Sequence, residues 1–180
     1  MTPPYIEQTK LPGLAIFYPH KAQDDRGWFR KIYQADFLEK SGWDFRAAET
    51  YCHKTKKGVI RGLDFSLLPN EKKMIYCLDG KCQCVYVCVK QGAYQGKFVS
   101  IELNGDDPKI ILVSSGFCTA ALAKTDIIMV NSNSIPYRSE INFKIDPYDQ
   151  ELSIPWSAPT VTWRRGGAGR GHTTGGDQGQ

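Results

Sequence analysis

The stretch Lys56-Lys57-Gly58-Val59-Ile60-Arg61-Gly62-Leu63-Asp64-Phe65 sets one carboxylate among three cations, and a further lysine, Lys73, follows it. A carboxylate held beside fixed cations can do one of two things. It can take a proton from a substrate whose developing negative charge the cations absorb, or it can pair with a cation and do no chemistry. Burial strengthens a carboxylate as a base and neighbouring cations weaken it, so Asp64 is competent only where burial and charge absorption together prevail. His53, ahead of this stretch, and Cys118, behind it, are reserve bases. A cysteine is basic only as the thiolate, which a lysine such as Lys73 would favour. The six cysteines, Cys52, Cys77, Cys82, Cys84, Cys88 and Cys118, form no Cys-x-x-Cys pair. Cys82, Cys84 and Cys88 follow the period of a strand, so the set reads as small core residues rather than zinc ligands or disulfide partners.

The elements that must position these groups are strands. LAIFYP, GWFRKIY, MIYCL, CQCVYVCV, KFVSIEL, KIILV and DIIMVN are short, rich in β-branched and aromatic residues, and separated by Gly, Pro, Asn and Asp. Turns at Asp79-Gly80, Asn104 to Pro108 and Ser115-Gly116 favour an all-β sandwich or jelly roll, because helices long enough to cross over between parallel strands are missing. One short helix of about two turns is expected over residues 35–42, with Gly42 free to take a left-handed cap. At 180 residues the chain fits one domain, residues 1–165, followed by a Gly-rich flexible tail, 166–180. The formal charge of +4 comes from 23 basic and 19 acidic residues scattered along the chain, which does not imply a nucleic-acid partner. No apolar run approaches the roughly 20 residues that span a bilayer, and the N-terminus lacks a signal pattern, so a cytoplasmic location without membrane attachment is expected.

DDRGWF at 24–29, KKGVIRGLDF at 56–65 with Lys73 and the turn at 79–80, and SGFCTA with PYRSE between 115 and 140 together resemble the dTDP-4-dehydrorhamnose 3,5-epimerase family over residues 10–160. The resemblance implies a cupin-type jelly roll and a homodimer whose partner strand helps complete each site, with no metal and no cofactor. It also implies deprotonation of a nucleotide-linked 4-keto-6-deoxyhexose beside its ketone and reprotonation on the other face. That chemistry needs a base, a donor on the opposite side and groups that stabilise the enolate. By resemblance Lys73 and Arg61 face the enolate and sugar, Arg26 the diphosphate, and Phe29 or Tyr51, with Trp28, could stack on the base.

The departures from the family pattern carry the finer expectations. Asp64 stands where the family has its histidine base, and Thr162-Trp163-Arg164-Arg165 replaces the element holding that histidine's orienting acid. Thr119 replaces a second histidine. The donor tyrosine expected near Asn131 to Asn133 is missing, and Tyr137, which matches a second family tyrosine, or water is left as the candidate donor. Losing one donor restricts inversion to one centre, taken as C3. Glu49, Tyr51 and His53 occupy the family's Gln-x-Asn-x-Ser positions at the nucleobase. A carboxylate accepts but cannot donate, so Glu49 suits cytosine's amino group better than thymine and points to a CDP-sugar. Lys31 also replaces a family glutamate there. The implied setting is sugar biosynthesis for a surface polysaccharide such as O-antigen. A catalytically silent nucleotide-sugar-binding protein or a dTDP-linked 3,5-epimerase is the alternative, and a ketoisomerase on the same jelly roll would need paired histidines that the sequence lacks.

Overall fold

Alternation along the strands decides the layers, and the computed structural model, which describes residues 3–107 and 109–157, stacks them as two antiparallel sheets. The first runs β1 (Tyr5–Gln8), β2 (Leu14–Tyr18), β10 (Ile110–Ser114), β7 (Lys72–Asp79), β12 (Ile127–Asn133), β5 (Glu49–Thr55). The second runs β13 (Asn142–Lys144), β6 (Ile60–Ser66), β11 (Phe117–Ala123), β8 (Lys81–Cys88), β9 (Phe98–Asn104). A separate hairpin pairs β3 (Lys21–Asp24) with β4 (Gly27–Arg30) and belongs to neither sheet. This is the expected all-β jelly roll.

Three apolar layers follow from the period of two. Ile75, Cys77, Met129 and Ile111 on the first sheet meet Cys84, Tyr86, Leu103 and Phe117 on the second, forming the central core. The outer face of the first sheet, with Phe17, Met74 and Leu112, is covered by Leu38, Trp43 and Phe45. The outer face of the second, with Leu63, Val85 and Leu122, is covered by Ile145, Leu152, Ile154 and Trp156 of the C-terminal segment. That double cover explains why β10 and β8 are apolar on both faces. Trp156 Nε1 donates to Pro147 O at 2.9 Å, and Ser157 N donates to Gln83 Oε1 at 2.8 Å, which ties the cover down.

The helix α1 (Ala35–Lys40) lies within the expected 35–42, and Gly42 takes φ +82° just beyond it. Trp43 N then donates to Leu38 O at 2.8 Å, closing the last turn. The cysteines are all free thiols among the described residues, and five are buried. Cys52 corrects the expectation of a core residue: it is exposed, because it points outward from β5, which ends its sheet. β1, β3, β5, β6, β11 and β13 were not among the apolar runs that announced strands. Residues 158–180, which hold the Thr162 to Arg165 element and the Gly-rich tail, lie outside the described residues. No helix among the described residues is long and apolar enough to cross a membrane.

Candidate functional site

A cavity of about 860 Å³ opens between the sheets where β5 and β12 face β6 and β11, and a smaller one of about 150 Å³ adjoins it. Tyr51, Asp64, Ile75, Thr119, Asn131 and Lys144 line both, so these residues mark where the two spaces meet.

Regular pleating would turn Arg61 and Asp64 to opposite faces, since they are three residues apart. A bulge in β6 removes the conflict. Asp64 pairs with Thr119 and Arg61 with Ala121, so three steps along β6 match two along β11 and both side chains line the larger cavity. Gly62 makes the bulge possible: its φ is +104°, and a Cβ there would stand 2.2 Å from Thr119 O.

Asp64 pairs with neither cation beside it in sequence or motif. Its Oδ1 lies 3.5 Å from Lys144 Nζ, whose strand position is directly opposite on β13, and this oxygen is buried and accepts no hydrogen bond. Arg61 instead donates from Nε to Thr55 Oγ1 at 2.8 Å and from a terminal nitrogen to Lys54 O at 3.4 Å. Lys73 lines the smaller cavity and lies 3.5 Å from the buried Glu71 carboxylate.

His53 lines the larger cavity, with Nδ1 at 3.2 Å from Thr55 Oγ1. A guanidinium can only donate, so it occupies one Thr55 lone pair, and Oγ1 keeps both its proton and a second lone pair toward Nδ1. Burial, with Arg61 adding to it, holds the His53 pKa below the usual histidine value and keeps the ring neutral. Burial likewise raises the Tyr51 phenol; the Asn133 side chain opposes the shift, and the carboxylates of Glu49, Asp64 and Glu71 reinforce it.

Glu49 lines neither cavity and accepts from Asn133 Nδ2 at 2.8 Å. Tyr137 lines the smaller cavity and is largely exposed. Cys118 is on the other face of β11, fully buried with Ile60, Leu63 and Val85. Its thiol is pushed up to about 12 by burial first and then by Asp64, so it is neither a thiolate nor in the cavity. Arg26 and Phe29 are on the β3–β4 hairpin, away from both cavities within this chain. Arg26 is exposed and ion-paired with Asp24 at 2.5 Å, and Phe29 is exposed. Thr55, Glu71 and Lys144 were not anticipated from the sequence. Thr55 could have been found as the next inward position after His53, whereas nothing local marks Lys144.

The sequence profile of dTDP-4-dehydrorhamnose 3,5-epimerases matches residues 8–168. A dTDP-4-dehydrorhamnose 3,5-epimerase of Streptomyces griseus is 31% identical over 136 residues, 74% of this chain and 68% of that one. A dTDP-4-dehydrorhamnose 3-epimerase of Streptomyces niveus is 27% identical over 156 residues, 84% of this chain and 74% of that one. The crystal structure of dTDP-6-deoxy-D-glucose-3,5-epimerase from Legionella pneumophila with dTDP-4-keto-L-rhamnose superposes with a TM-score of 0.84 at 25% identity, covering 88% of this chain and 87% of that one. The two facing sheets, the cavity between them and these matches agree: the chain belongs to the dTDP-4-dehydrorhamnose 3,5-epimerase family and is a nucleotide-sugar epimerase.

Proposed function

We propose that the chain inverts C3 of a nucleotide-linked 4-keto-6-deoxyhexose, with Asp64 as the base. The observation that carries this is the position of Asp64: the β6 bulge turns it to the same face as Arg61, at the junction of both cavities, with the side chain partly exposed and one oxygen 3.5 Å from Lys144 Nζ. A hydrogen on the carbon beside a ketone is acidic only if the enolate oxygen is stabilised as charge develops. Arg61, Lys73 and Lys144 line the two cavities and supply that positive field. The neutral His53 ring adds a polar group to the same wall.

The C3 restriction rests on the want of a tyrosine at Asn131 to Asn133, and the Streptomyces niveus relative carries a 3-epimerase name. CDP linkage rests on Glu49, whose second oxygen remains after Asn133 takes the first. The β3–β4 hairpin, detached from both sheets and carrying exposed Arg26 and Phe29, supports a homodimer in which it reaches the second copy's site. The product would feed a surface polysaccharide.

Incubation with CDP- and dTDP-4-keto-6-deoxyglucose in deuterated water tests this. Deuterium should enter at C3 and not at C5, faster with the CDP-sugar, and Asp64→Asn should abolish entry. The Asp64–Lys144 pair favours one other reading, a silent binding protein in which that carboxylate is only a structural partner. Tight binding without exchange at either carbon would establish it.

A further inference from the structure

Inversion needs a proton delivered from the side opposite to the one where it left, and that donor has to stand across the sugar from Asp64. Asp64 is on β6 of one sheet, so the donor belongs on the facing wall made by β5, β12 and β7. Tyrosine, histidine and lysine side chains line the cavities from that side or its rim at six positions: Tyr51, His53, Lys54, Lys56, Lys73 and Tyr137. Lys73 is held by the Glu71 carboxylate. His53, Lys54 and Lys56 line only the larger cavity, and Tyr137 lines only the smaller one. Tyr51 lines both, as Asp64 does.

We infer that Tyr51 is the group that returns the proton, from the wall facing Asp64. This rests on the C3 epimerase reading above. Tyr51 is the register partner of Asn131 across the β5–β12 ladder, so both side chains leave the same face of that sheet toward the cavities. Burial and the surrounding carboxylates keep that phenol protonated, ready to donate.

The step balances without a co-reactant. The C3–H bond breaks, its proton goes to the Asp64 carboxylate, and the electron pair moves to the ketone oxygen as the enolate forms. The Tyr51 O–H bond then breaks, its proton joins C3 on the opposite face, and the enolate returns to the ketone. The tyrosinate left behind shares the smaller cavity with Lys73 and Lys144. Solvent then takes the proton from the Asp64 carboxyl and restores one to Tyr51.

The test separates exchange from inversion in the full-length chain, using CDP- and dTDP-4-keto-6-deoxyglucose in deuterated water. In Tyr51→Phe the base still works and its carboxyl trades its proton with solvent, so deuterium should enter C3 with retained configuration within a few-fold of the wild-type rate. The inverted product should fall by about 10²–10⁴-fold. Tyr51→His, which restores a dissociable proton, should recover part of the inversion and guards against a folding defect in the phenylalanine variant. Inversion at the wild-type rate in Tyr51→Phe, or exchange and inversion falling together in both variants, would overturn the assignment. Absence of exchange in the wild type would instead overturn the epimerase reading beneath it.

Discussion

Replacing Gly62 by alanine tests whether the β6 bulge holds the site together. Two costs follow from its geometry. The residue has φ +104°, where an L side chain is strained by about 1–2 kcal/mol. The added methyl would also stand 2.2 Å from Thr119 O, 2.6 Å from Ala120 Cα and 2.7 Å from Ala120 Cβ. Two of those atoms are backbone of a strand paired on both sides, so relief means shifting the ladder, an overpacking cost of about 1–3 kcal/mol. The loss is about 2–5 kcal/mol, which lowers the melting temperature of a chain this long by on the order of 10 °C. Gly42→Ala is the control: its φ is +82°, but nothing lies within 4 Å of the added carbon, so it carries the strain without the collision. Melting should therefore rank wild type above Gly42→Ala and both well above Gly62→Ala. If the two variants melt together, the collision is absent and the bulge does not place Arg61 and Asp64 on one face.

Lys73→Met should lower turnover by about 10²–10³-fold by removing charge from the enolate. It should also cost about 1–3 kcal/mol, because the buried Glu71 loses its partner. Adding Glu71→Gln should restore stability in urea melts but not turnover; recovery of both would make Lys73 a structural residue only. His53 has a folded-state pKa below its unfolded value, so the unfolded chain takes up the proton first as the solution is acidified. Stability should fall as pH drops from about 6.5 toward the folded value, and His53→Gln should flatten that part of the curve; identical slopes would count against the neutral ring. Iodoacetamide on the native protein should modify Cys52 well ahead of Cys118, since the first is exposed and the second is a buried thiol pushed up to about 12. Mass spectrometry after a short pulse decides it, and early labelling of Cys118 would refute its placement.

The sequence made the core strands easiest to see. β7, β8, β9, β10 and β12 are buried enough to be written as β-branched and aromatic runs, and their turns are spelled by Gly and Asn. β5 was hidden because it ends its sheet and alternates polar residues outward with functional polar residues inward. Arg61 and Asp64 were legible as a pair, but not how they share a face: a bulge is defined against its partner strand, and Thr119 and Ala121 lie more than fifty residues away. The same long-range pairing hid Lys144, which reaches Asp64 only because β13 docks beside β6. Cys118 was misplaced for a smaller reason, that one step along β11 separates the cavity face at Thr119 from the covered outer face.

The three described tryptophans all stand apart from the cavities. Trp43 is under the helical cover, Trp156 is in the C-terminal cover, and Trp28 is on the hairpin beneath the Arg30 guanidinium at 3.9 Å. Their emission therefore reports on the two coats of the barrel and on the arm, while among the described residues the cavities hold tyrosine and phenylalanine but no tryptophan. Within this chain, quenching of Trp28, Trp43 or Trp156 on adding a nucleotide-sugar would be a signal from the arm or from a coat.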